Sequence, residues 1–202
     1  MRSQRVLSIA VALLACGLAG CSDVSEPSSG KPTAINQQTY HLDDRDIKEG
    51  EDLQNRLMAD GSVSRSDYEQ AVKAVGECFA RYNLRFTDEG WDPVGNQTID
   101  FTFGNPELSD DEVLGYGDGC QKVYLERIQE SFVASSEPVM DPAILKASQN
   151  CLSKQGIQTT RNETNIEDLV ASAGKAAFDD VLKCVKESAQ TLHPNRSLNI
   201  GV

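Results

Sequence analysis

Six cysteines and two histidines are the residues of this 202-residue chain best suited to chemistry beyond acid–base work. A thiol can accept a lipid, bind zinc, act as a nucleophile or pair with a second thiol, and spacing separates these uses. Cys78, Cys120, Cys151 and Cys184 are widely spaced, with no Cys-x-x-Cys pair, and His41 and His193 stand near opposite ends of the polar part of the chain. Zinc needs thiolates and imidazoles in a cluster, so no metal site and no cofactor are expected. Four cysteines without such spacing read as two disulfides if the chain is exported. Cys16 and Cys21 stand apart from them, among small and apolar residues near the N-terminus.

That N-terminus has Arg2 and Arg5, then an apolar run from Val6 to Leu14, then Leu18-Ala19-Gly20-Cys21. A basic start, an apolar stretch too short to span a bilayer and a small-residue cleavage site make a secretory signal peptide. Leu-Ala-Gly-Cys resembles the bacterial lipobox. The resemblance implies that residues 1–20 are removed, that the Cys21 thiol carries a diacylglycerol and that Cys21 becomes the new N-terminus. Cys16 follows Leu13-Leu14-Ala15, a poorer match, and would be cut away. The expected location is the outer face of the bacterial cytoplasmic membrane, with the lipid on Cys21 as the membrane contact.

The net charge of −12 falls to about −14 once Arg2 and Arg5 are lost. So acidic a surface argues against nucleic acid as a partner and against electrostatic adhesion to anionic lipid. The lipid must then hold the protein unaided, which takes more than one acyl chain. Residues 21–39, rich in Ser, Pro, Gly and amides, cannot bury enough surface to offset their ordering entropy and read as a tether. A globular domain is expected over residues 40–192 and a loosely held tail over 193–202.

Apolar spacing predicts the elements that position the cysteines. Asp44 to Asp60 carries a narrow helical stripe of Ile47, Leu53 and Leu57, and Asp60-Gly61 makes a turn rather than a calcium loop, whose first ligands would be Arg56 and Met58. Ser66 and Glu69 have capping-box spacing, followed by a stripe of Tyr68, Ala71, Val72, Val75, Cys78 and Phe79 and a left-handed cap at Asn83. Leu84/Phe86 and Ile99/Phe101/Phe103 alternate with polar residues, which predicts a β-hairpin whose long loop holds Trp91. Ser109 starts a helix with acids at its positive end, and Gly115, Gly117 and Gly119 are expected to interrupt it. A second stripe then runs from Cys120 through Ile128 to Phe132. Asp141-Pro142 opens another helix, ended by Gly156. Ile157 to Thr160 reads as extended, and Asn165 caps a last helical region that Gly174 divides.

Setting Cys78 on Cys151 places Phe79 on Leu152 and Asn83-Leu84 on Gly156-Ile157, each half then reaching a second cysteine-bearing helix. Two degenerate helix–extended–helix units follow. Of the three connectivities open to four cysteines, the repeat favours Cys78–Cys120 and Cys151–Cys184, each loop contributing roughly 3–4 kcal/mol. The expected fold is α+β, mainly helical, with one β-hairpin and two disulfides.

No Gly-x-Ser-x-Gly elbow, His-Glu-x-x-His or dinucleotide fingerprint is present. With its lipobox, the ADGSVSRSDYEQAVKAVGECF stretch and later cysteine-bearing helices, the chain resembles small uncharacterised actinobacterial lipoproteins, a group that implies no activity. The expected function is a non-enzymatic interaction or ligand-binding domain that engages another envelope protein or a ligand. The alternative is a cell-envelope hydrolase with an unmarked carboxylate site, which requires a cleft where acids such as Asp88, Glu89 or Asp118 converge.

Overall fold

The computed structural model describes residues 41–196; Cys21, the lipobox, the tether and residues 197–202 lie outside them. The elements in order are α1 (Asp44–Leu57), α2 (Arg65–Arg81), β1 (Arg85–Trp91), β2 (Ile99–Gly104), α3 (Asp110–Tyr124), α4 (Glu126–Ser135), α5 (Pro142–Lys154), α6 (Ile166–Ala173), a short 3-10 turn and α7 (Phe178–Leu192). The fold is the expected α+β arrangement, and both disulfides form as paired from the repeat: Cys78 with Cys120, Cys151 with Cys184. Among the described residues no helix is long and apolar enough to cross a membrane.

Two helical units share the hairpin. In the first, α2 packs on α3 and α4, with α1 laid across α3, around buried Tyr68, Val75, Phe79, Val123 and Ile128. In the second, α5 and α7 enclose Met140, Ile144, Leu152, Leu169, Val181 and Val185. The internal repeat appears in the backbone itself. At the end of α2, Leu84 N–H donates to Phe79 O (2.9 Å) and Asn83 N–H to Ala80 O (3.3 Å). At the end of α5, Ile157 N–H donates to Leu152 O (3.0 Å) and Gly156 N–H to Ser153 O (3.1 Å). These are matching Schellman caps, with Asn83 (φ 58°) and Gly156 (φ 82°) in the left-handed region and an apolar pair across each cap. The first cysteine of each disulfide, Cys78 or Cys151, sits one residue before the apolar residue of its cap.

Several local expectations change. The capping box of α2 is Ser64 with Asp67, not Ser66 with Glu69: Ser64 Oγ accepts from Asp67 N–H and the Asp67 carboxylate from Ser64 N–H. The same spacing occurs in both pairs, two residues apart, and Val63, buried just before Ser64, sets the entry of the chain. Gly115, Gly117 and Gly119 do not interrupt α3, which runs through them. Gly117 instead admits the Phe103 ring, which a Cβ there would meet at 2.2 Å. The stripe from Cys120 to Phe132 breaks at Leu125 into α3 and α4. Buried Gln54 of α1 accounts for the break: its amide N–H donates to Val123 O (2.7 Å) and Lys122 O (3.2 Å), and its Oε1 accepts from Arg127 N–H (3.0 Å). One side chain thus bonds two free carbonyls at the end of α3 and one free N–H at the start of α4. Gly50, a turn earlier on α1, lets the helices meet, since a Cβ there would lie 2.4 Å from Val123 O.

Residues 157–160 form no strand. Their turn closes on Glu163, whose carboxylate accepts from Thr160 N–H (2.8 Å), Thr160 Oγ1 (2.8 Å) and Gln149 Nε2 (2.9 Å). Burial raises its pKa, but hydrogen bonds from Ser172, its own amide and Thr160 outweigh this and bring it down from 4.5 to about 2. A carboxylate stabilised in the folded state contributes above its unfolded pKa and loses that contribution as pH falls through the folded one. We expect about 3 kcal/mol of stability to be lost at this site between neutral pH and about pH 2. Urea denaturation of Glu163→Gln beside the parent chain checks this; equal acid sensitivity would refute it.

The hairpin joins the units. Its loop sends Val94 into the second core, and the segment before α5 straps it through Val139 N–H to Gly95 O (2.9 Å) and Asp141 N–H to Pro93 O (2.8 Å). Arg196, expected in a loose tail, is held: it donates to Trp91 O (3.1 Å), Gly90 O (3.1 Å) and the Asp100 carboxylate (2.9 Å).

Candidate functional site

A recess lies between α2 and β1. It is an open groove of about 520 Å³, with Val72, Gly76, Ala80, Phe86, Trp91 and Ile99 forming its floor and walls. Glu69, Lys73, Glu77 and Asp88 stand at its rim. The geometry follows from the sequence of each element. On α2, Val72, Gly76 and Ala80 recur every four residues, a stripe flanking the core stripe, and Glu69, Lys73 and Glu77 run beside it. On β1, Phe86 and Trp91 face α2 together with Ile99 of β2, because the register pairs Trp91 with Ile99 and Phe86 with Phe103.

Gly76 has a specific role: a Cβ there would meet the Phe86 ring at 3.0 Å, so glycine lets strand and helix approach. Trp91 is not a loop residue as expected but ends β1. Its ring packs against Tyr68 (5.4 Å) and Phe132 (5.7 Å), its Nε1 donates to Glu69 (3.3 Å), and the Arg65 guanidinium lies 3.7 Å over it. Behind it, Tyr68 Oη accepts from Ile99 N–H (3.1 Å) and donates to Gln129 Oε1 (3.1 Å); burial pushes its pKa up to about 12. The Trp91 wall is therefore rigidly supported.

β1 pairs only with β2 in a two-stranded sheet. β2 contributes Ile99 alone to the groove, and among the described residues no strand pairs with the other edge of β1. That edge carries Arg85, Asp88 and Glu89 and a bulge between Asp88 and Gly90, features that hinder indiscriminate strand pairing.

Of the acids expected to converge, Asp88 reaches the groove. Glu89 does not line it, and Asp118 lies exposed on α3. Among the described residues no group of three His, Cys, Asp or Glu side chains is placed to hold a metal. Asp110, Asp111 and Glu112 form the first turn of α3, with Glu112 bonded to its Ser109 cap. His41 is exposed beside Tyr116, and His193 ends α7.

A buried carboxylate that periodicity did not single out is Asp46, fully enclosed between α1, α2 and α3. It pairs with Arg81 and accepts from Tyr82 Oη (2.7 Å) and Tyr124 Oη (3.2 Å). Both oxygens are engaged and the carboxylate is fully enclosed, so the cluster is a bracing network whose carboxylate is closed off from solvent. Its only sequence signal is an acid in phase with Ile47 and Gly50 on the buried side of α1.

Compared with known proteins, the chain matches no family model, no curated protein and no solved structure.

Proposed function

We propose that this protein is a membrane-anchored extracytoplasmic lipoprotein, lipidated at Cys21, whose folded domain is a non-enzymatic docking module for an extended segment of another envelope protein. The observation that carries the docking reading is the groove between α2 and β1, a strand that among the described residues pairs on one side only, with Arg196 holding the Gly90 and Trp91 carbonyls at its far end. An extended peptide can add to a strand edge through main-chain hydrogen bonds while alternate side chains drop into a neighbouring apolar groove. The rim holds three carboxylates against Lys73, which already pairs with Glu77 (3.5 Å). The complementary occupant is therefore an apolar segment bearing lysine or arginine at alternate positions. The charged edge of β1 would disfavour acidic strands, giving selectivity by repulsion. The anchoring reading rests on the lipobox and on a net charge of −12, which disfavours electrostatic adhesion to anionic lipid.

A display library of random short peptides, panned on the folded domain, tests the docking reading. Enrichment of alternating apolar and basic positions is expected. Ala80→Tyr, at an exposed position in the groove wall, should weaken binding at least about tenfold without altering the denaturation midpoint. Peptides without that pattern, or binding indifferent to Ala80→Tyr, would exclude it. Anchoring is tested separately: Cys21→Ser should move the protein from the membrane to the soluble fraction.

A further inference from the structure

The two disulfides differ in their surroundings. Cys78 and Cys120 are both fully buried between α2 and α3. Cys184 is buried as deeply, but its partner Cys151 is only part-buried and lines an open recess of about 420 Å³ between α5 and α7. Lys154, Gln155, Ser188 and Thr191 also line that recess. Gln155 Nε2 lies 3.3 Å from Cys184 Sγ and 3.6 Å from Cys151 Sγ, donating to the bridge from the solvent side.

We infer that Cys151 is a thiol-exchange site, at which a dithiol reductant selectively opens the Cys151–Cys184 bridge and leaves Cys78–Cys120 intact. A thiolate must reach one sulfur of a disulfide, and the other sulfur departs as a thiolate. Here the reachable sulfur is Cys151, so the incoming thiolate forms a mixed disulfide with Cys151 and the S–S bond to Cys184 breaks. The electron pair of that bond goes to Cys184 Sγ, where the Gln155 N–H is already placed to stabilise the developing charge. The second thiolate of the reductant then attacks its own sulfur in the mixed disulfide and expels Cys151 as a thiolate. The reductant ends as a disulfide, and its two protons end on Cys151 and Cys184. Cys151 of this bridge lines the open recess, whereas exchange at Cys78 or Cys120, both fully buried, would require the α2–α3 interface to open first.

The test uses the full-length, folded protein with all thiols outside the two disulfides blocked in advance. Dithiothreitol is added without denaturant, and alkylated cysteines are mapped by mass over time. Cys151 and Cys184 should become labelled at least about tenfold faster than Cys78 and Cys120. With glutathione, a monothiol, the trapped mixed disulfide should lie on Cys151. Gln155→Leu should slow opening severalfold while leaving the denaturation midpoint of the oxidised protein unchanged. Simultaneous opening of both bridges, a glutathione adduct mainly on Cys184, or an unchanged rate in Gln155→Leu would each overturn the inference.

Discussion

Replacing Asp46 by alanine is expected to destabilise the folded domain by about 3–5 kcal/mol, the cost of removing one partner from a buried charge network. The loss is not that of a single ion pair. Arg81 would keep its charge without its buried partner, and the hydroxyls of Tyr82 and Tyr124 would lose their acceptor. Arg81 remains about a third exposed on its side chain (31%), which lets water offset part of its penalty and argues for the lower half of the range. Burial alone would raise the Asp46 pKa; hydrogen bonds from Tyr82, Arg81 and Tyr124 and the Arg81 charge outweigh it and hold the carboxyl below the usual range. Its contribution is therefore present above an ordinary carboxylate pKa and is lost as pH falls through the lowered one. Urea denaturation at neutral pH measures the effect. A loss below about 1 kcal/mol, the size of an ordinary surface pair, would show that the network does not brace α1 against α2 and α3.

Removing the Cys78–Cys120 bridge by substituting both residues with alanine is expected to cost about 4 kcal/mol. The loop it closes spans 42 residues, and the entropy withheld from the unfolded chain grows with the logarithm of that length. The second bridge closes 33 residues, so the same relation assigns it a nearly equal value. What separates the two staples is access to solvent, not loop length. Thermal or denaturant unfolding of the oxidised double variant checks the first value; a midpoint that hardly moves would mean that packing of Phe79 and Val123 already confines the α2–α3 interface.

Much of this architecture was readable from residue order because its causes are local. The stripes of α2 and α7 repeat at helical spacing, Asn165 and Ser109 cap where their side chains can reach their own backbone, and the alternation of Phe101 and Phe103 leaves no helical alternative. Even the disulfide pairing was accessible, since the repeat places Cys78 and Cys151 in the same helical frame before matching caps and gives each unit one further cysteine-bearing helix. The misplaced capping box shows the resolution of such reading: Ser64/Asp67 and Ser66/Glu69 satisfy the same local rule, and the buried neighbour Val63 selects between them. The glycines of α3 were read as breaks because intrinsic preference disfavours glycine in a helix. The use of Gly117 depends on Phe103, a residue of the hairpin.

Cysteine spacing, helix and hairpin periods, caps and the acidic balance followed from the sequence by itself, because each depends on neighbours within a few residues or on composition alone. The lipobox is likewise a local signal, and it supplies the proposal for Cys21. Only the tertiary structure decided that Gln54 divides α3 from α4, that Arg196 grips the hairpin, that Asp46 is braced from three helices and that the edge of β1 borders a groove. It also decided that Cys151 faces a recess while Cys78 does not. Each of these depends on residues far apart in the chain meeting at distances of a few ångströms, and periodicity carries no information about which faces will meet.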